Sequence, residues 1–96
     1  GDDSLKEVKV KNLKTKEVTS FKVNGCFEYI GHIPNTDFLK DLGILNKYGY
    51  IVVDERKETK VKGLFGVGDV IDKEIRQITT ATGDGTIAAL NAAKYL

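Results

Sequence analysis

Asp69 and the pair Arg76 and Gln77 are the residues of this chain best placed to do chemistry. Asp69 follows Gly68 at the end of an apolar run, residues 64–67 (LFGV), and Arg76 with Gln77 closes the polar loop after it. A carboxylate placed after a strand and a glycine offers an acceptor at the carboxyl end of a sheet, where α/β proteins bind ligands. Its natural partner is a hydroxyl or amine donor. A helix expected from about Ile78 to the C-terminus would aim its unpaired N–H groups and positive dipole end at the same place. That helix carries little bulk at Ala81, Gly83, Gly85, Ala88, Ala89, Ala92 and Ala93. Gly83 and Gly85 each cost about 1 kcal/mol of helix propensity against alanine. A planar ligand approaching closely would account for that cost, and so would plain packing on a sheet.

Other candidates are weaker. Residues 66–71 (GVGDVI) begin like a dinucleotide fingerprint, but Ile71 stands where its last glycine belongs. Asp69 would crowd a pyrophosphate and no helix follows at the proper distance, so this is no Rossmann phosphate loop. Asp84 and Gly85 suggest calcium only until the missing ligand ladder is noticed. Cys26 has no neighbouring histidine or basic cluster to activate it and reads as a buried small hydrophobe. His32, in a Gly-His-x-Pro loop, admits a place beside a ligand or a simple bond to backbone. The chain has one cysteine, one histidine and no metal-ligand spacing. Any redox chemistry must come from a bound cofactor or another chain.

These residues need a scaffold, and 96 residues allow one small domain or a piece of a larger one. The composition is globular, 41% hydrophobic and 30% charged, and the net charge of +1 gives no basic footprint for nucleic acid. No apolar run reaches membrane-spanning length and no signal-peptide pattern is present, so no membrane partner is expected. A lone cysteine suits a reducing, cytoplasmic setting.

In chain order, residues 5–13 alternate, with Val8 and Val10 opposed to Lys9 and Lys11. Residues 18–23 alternate again, with Phe21 and Val23 on one face. The two predict a half-buried β-hairpin across the turn at 12–17, its lysines on a solvated face. Residues 26–30 (CFEYI) predict a short strand. Pro34 holds Ile33 extended, and Asn35 or Thr36 can cap a short helix to Leu42 in which Phe38, Leu39 and Leu42 share a face. Gly43 ends it. Residues 50–53 (YIVV) and 64–67 predict strands, which together with the final helix make the fold α/β.

The quoted residues also resemble a known family, the low-molecular-weight thioredoxin reductases among the pyridine nucleotide-disulfide oxidoreductases. The resemblance lies in GLFGVGDV at 63–70, then Arg76, Gln77 and Ile78, then Ala81, Gly83, Gly85, Ala88 and Ala89. Residues 25–36 are similar to the family's return crossing from its NADPH domain to its FAD domain, and residues 49–54 to the strand that follows. The resemblance implies an incomplete FAD/NAD(P)-binding, Rossmann-like three-layer fold with an N-terminal β-hairpin. Residues 1–33 would be the last strands of the NADPH domain, and residues 34–96 the C-terminal half of the FAD domain.

By the same resemblance, Asp69 with Gly68 would meet a ribityl hydroxyl of FAD, while Arg76, Gln77 and Ile78 would lie against the flavin, with His32 a further candidate. The dipole of the final helix would add on the order of 0.3–1 kcal/mol of stabilisation to negative charge on the reduced flavin. The parent enzyme would pass electrons from NADPH through FAD to a dithiol and then to thioredoxin, as a homodimer. The family's Gly-x-Gly-x-x-Gly half, most of its NADPH domain and its Cys-x-x-Cys are not in this sequence. The chain is therefore expected to be a C-terminal third, arising by truncation, by proteolysis or by deliberate production of a fragment, and not to catalyse alone. A peroxide-reductase flavoprotein subunit is the nearest rival, with Arg76 before Gln77 favouring thioredoxin reductase. Two other classes stand beside these: a non-catalytic assembly module that complements a partner chain, and a structural domain in which Asp69 caps a turn.

Overall fold

A computed structural model describes residues 3–96, which divide between His32 and Ile33 into two compact units. In the first, β1 (Glu7–Lys11) pairs antiparallel with β2 (Val18–Lys22), Val8 lying opposite Phe21. The turn is set by Asn12, whose Oδ1 accepts the N–H of Lys14 at 2.9 Å. The expected hairpin therefore forms, but not half-buried: of the apolar residues expected on its covered faces, Val8 and Val23 are partly covered, while Val10 and Phe21 are exposed. A two-stranded ribbon buries a face only when something packs on it. Residues 26–30 form no strand, and none of residues 24–32 makes a hydrogen bond to another described residue. Cys26 is exposed rather than buried. Phe27 and Tyr29, each 84% exposed, stand 6.0 Å apart. A strand needs a neighbour, and this unit supplies none.

The second unit is organised around Ile44, Ile51 and Ile71, with Leu39, Leu45, Val53, Leu64 and Val70 packed on them. Ile51 is the central rung, paired antiparallel with Leu45 and parallel with Ile71. Its N–H donates to Val70 at 2.9 Å and its carbonyl accepts from Asp72 at 2.8 Å. The turn before it is built by Asn46, whose Oδ1 accepts the N–H groups of Tyr48 and Tyr50 at 2.9 and 3.0 Å. The buried Thr36 ties the incoming chain to that turn by donating its hydroxyl to the carbonyl of Gly49.

The short helix is a 3-10 helix, Asp37–Leu42, stopped by Gly43 at φ 63°. With three residues per turn, Leu39 and Leu42 lie on one side of the helix and Phe38 is turned away from it. Leu39 packs on the core while Phe38 and Leu42 stay exposed. The run at 64–67 pairs only at Phe65, antiparallel with Glu58. Gly66, in that run, is buried: a Cβ there would sit 3.0 Å from Ile51 Cγ2 and 3.1 Å from both Ile71 Cγ2 and Val53 Cγ1. After a 3-10 turn at Gly68–Val70 and a polar loop comes α1 (Ile78–Ala92), continued by a 3-10 turn at Ala93–Tyr95. Tyr95 returns to the 58–65 hairpin, its hydroxyl donating to the Glu58 carboxylate and its ring edge-on to Phe65 at 6.1 Å. No helix among the described residues is long and apolar enough to cross a membrane.

Candidate functional site

The extended residues before Gly68 deliver the chain into a tight 3-10 turn, and Gly68 takes φ 79°, a left-handed conformation that suits a residue without Cβ. Asp69 follows on that turn, exposed. Opposite lies the start of α1. Its N-cap, Gln77, donates its N–H to Thr80 Oγ1 at 3.0 Å. The first intrahelical bond runs from Ala81 N–H to the Gln77 carbonyl at 3.0 Å, so the N–H groups of Ile78 and Thr79 have no partner within the helix. Asp69, Gln77, Ile78, Ala81 and Thr82 line one open cleft. Ile78, on its wall, is 86% exposed.

Arg76 is half-buried behind this cleft. Its Nε donates to the Asp69 carbonyl at 3.0 Å and its Nη2 to the Ile71 carbonyl at 3.2 Å, with the guanidinium 4.0 Å over the Tyr50 ring. It thus fastens the turn of Asp69 to the strand edge at Ile71. Of the expected site residues, Gly68, Asp69, Arg76, Gln77 and Ile78 come together around the junction of this turn and α1. His32 lies in the other unit, exposed, and is described there alone.

Sequence reasoning passed over Asp84. It is buried, 8% exposed, on the second turn of α1. Its Oδ2 accepts from Lys73 Nζ at 2.7 Å and from the Gly68 N–H at 3.2 Å, while Lys57 Nζ lies 3.3 Å from Oδ1. Burial pushes its carboxyl pKa up, but hydrogen bonds from Lys73, Lys57 and Gly68 outweigh this and hold it below the ordinary 3.8. Lys57 reaches it from a turn in which its own φ is 68°, uncommon for a residue with a side chain. Only the carboxylate beside the small residues of α1 hinted at this in the sequence. Among the described residues, no three His, Cys, Asp or Glu side chains gather as metal ligands.

The arrangement provides a free carboxylate acceptor, a helix N-terminus and an apolar wall of small residues. It can hold a group with hydroxyl donors beside a flat, polar-edged one. The sequence profile of the family described as "Pyridine nucleotide-disulphide oxidoreductase" matches residues 1–85. The chain belongs to that family. It is 50% identical over its whole length to a Clostridium pasteurianum protein described as "34.2 kDa protein in rubredoxin operon", of which it covers 31%. Over 85% of its length it is 49% identical to a Bacillus subtilis thioredoxin reductase, covering 26% of that protein. Among solved structures, Lactococcus lactis thioredoxin reductase superposes with a TM-score of 0.80 at 45% identity, over 99% of this chain and 31% of that one. The chain thus spans between about a quarter and a third of the length of these family relatives.

Proposed function

We propose that this chain supplies one side of the FAD site of a thioredoxin reductase-like flavoenzyme, with NADPH as the electron donor and thioredoxin as the acceptor. The observation that carries the reading is the single cleft formed by Asp69, Gln77, Ile78 and Ala81 at the start of α1. FAD, when bound, supplies the hydride chemistry. The residues here bind and orient. Asp69 accepts from a ribityl hydroxyl, Gly68 lets the turn come close, and Ala81 leaves room. Ile78 places an apolar side chain and a free N–H against the flavin, Gln77 caps the helix beneath it, and Arg76 holds the turn from behind.

In this reading residues 1–33 close an NADPH-binding domain and residues 34–96 form the C-terminal half of an FAD-binding domain with an incomplete Rossmann-like fold. The rest of the site and the redox dithiol belong to the remainder of the enzyme, so the chain by itself is not a catalyst. His32 enters this reading through the family resemblance alone. Exposed apolar residues such as Phe27, Tyr29, Ile30 and Phe38 fit coverage by that remainder and by a second subunit of a cytoplasmic homodimer. Sedimentation of a lone, compact monomer would count against the dimer.

The deciding experiment titrates the full-length enzyme carrying this segment, stripped of its flavin, with FAD and follows flavin absorbance. Asp69→Ala should weaken FAD by roughly tenfold or more, as loss of a charge-assisted hydrogen bond does. Unchanged affinity with lowered stability would make Asp69 a turn cap and the chain a structural domain.

A further inference from the structure

Asp84 plays no part in the reading above, yet it is the buried carboxylate of the second unit and ties three segments to α1. We infer that Asp84 is a positioning residue for the flavin edge: its carboxylate, shared among Lys73, Lys57 and the Gly68 N–H, fixes the turn that carries Asp69 against the first turns of α1. The inference rests on the flavin reading given under Proposed function.

The geometry is specific. Oδ2 takes two donors at once, the Lys73 ammonium at 2.7 Å and the Gly68 N–H at 3.2 Å, and Oδ1 faces Lys57 at 3.3 Å. The donors come from the polar loop, the 3-10 turn and the 54–65 segment, and the acceptor from the helix. Lys73 Nζ also lies 3.4 Å from Thr80 Oγ1, which accepts the Gln77 N–H at 3.0 Å. One connected network therefore ends at Gly68, the residue before Asp69, and at Gln77, the residue before Ile78. Both walls of the cleft are set by it.

Stability alone is a poor account of such a device. A buried ion-pair cluster is often no more stabilising than apolar side chains of similar volume. What apolar side chains cannot do is accept the N–H of Gly68 and fix the direction of the turn. That difference separates positioning from mere support.

The test compares wild type, Asp84→Asn and the apolar triple variant D84L/K57M/K73M. Amide exchange at Gly68 is read on the chain, and FAD dissociation is read on the holoenzyme by absorbance. Asp84→Asn should speed Gly68 exchange and raise the FAD dissociation constant, each roughly tenfold. The triple variant should regain the wild-type unfolding midpoint and still show fast Gly68 exchange and weak FAD binding. A triple variant with wild-type exchange and wild-type affinity overturns the inference, and it serves as the test should Asp84→Asn fail to fold. A full-length wild-type enzyme that takes up no FAD overturns the flavin reading and the inference together. FAD binding untouched by Asp84→Asn in a folded protein overturns the inference only.

Discussion

The guanidinium of Arg76 donates to the main-chain oxygen of Asp69 at 3.0 Å, so the side chain that ends the polar loop holds the backbone of the residue that begins it. The loop from 69 to 76 is thereby closed on itself. Its two ends are joined by that bond beside the cleft at the start of α1.

Replacing Arg76 by alanine removes both bonds to the Asp69 and Ile71 carbonyls and the contact with the Tyr50 ring. The expected cost is about 1–3 kcal/mol, read as a lower urea midpoint. Lysine should not restore it, because one ammonium cannot reproduce the planar fork. A lysine variant as stable as wild type would show that the fork contributes nothing.

Two glycines should respond with opposite signs. At Gly66 a Cβ meets three core methyl groups at 3.0–3.1 Å, so Gly66→Ala should cost about 1–3 kcal/mol. At Gly83, inside α1, nothing lies within 4 Å of a new Cβ, and Gly83→Ala should gain up to about 1 kcal/mol. Chemical denaturation of both variants checks the pair, and a neutral Gly66→Ala would mean that the core around Ile51 relaxes freely.

Acid should loosen the second unit through Asp84. Its folded pKa lies below the ordinary 3.8, so its stabilisation is complete above that value and is lost as pH falls through the folded one. Asp54, held low first by the Glu58 N–H, and Glu58, held low first by the Gly63 N–H, act in the same direction. Unfolding midpoints measured below about pH 4 should therefore fall, and less steeply in Asp84→Asn. A slope identical in the two proteins would remove Asp84 from the acid transition.

Alkali should act at the other end of α1. The Glu58 carboxylate, and then burial, raise the Tyr95 phenol above its ordinary 10.0. A pKa raised on folding gives stability that is present below the unfolded value and lost as pH climbs through the folded one. Tyr95→Phe should flatten the decline of the thermal midpoint above about pH 10, where the unfolded phenol begins to ionise. An unchanged decline would place the alkaline limb in other groups.

What could be read from the sequence was whatever depends on near neighbours. The start of α1 at Ile78, the hairpin joined across Asn12 and the stop at Gly43 are each set by residues within a few positions. So is the meeting of Asp69 with Gln77 and Ile78, because a turn and a helix only eight residues apart have little freedom. What depended on distant partners was not readable. The strand expected at 26–30 needed a neighbour that this unit does not provide, and Cys26 stayed exposed with it. The run at 64–67 looked like a core strand, yet it pairs only at Phe65 because its neighbour is a tight hairpin. The Asp84 network draws on Lys57, whose reach depends on a left-handed backbone angle that no pattern of residue types announces.

The unbonded stretch at 24–32 has a consequence for the life of the polypeptide in a cell. Its amides are unspent and its Phe27 and Tyr29 stand in water. Unpaired backbone beside exposed aromatic side chains invites proteolytic nicking and is the kind of surface chaperones cover. Until another surface covers it, this segment is a label that marks the polypeptide as unfinished, and the speed of that covering sets how long the label is read.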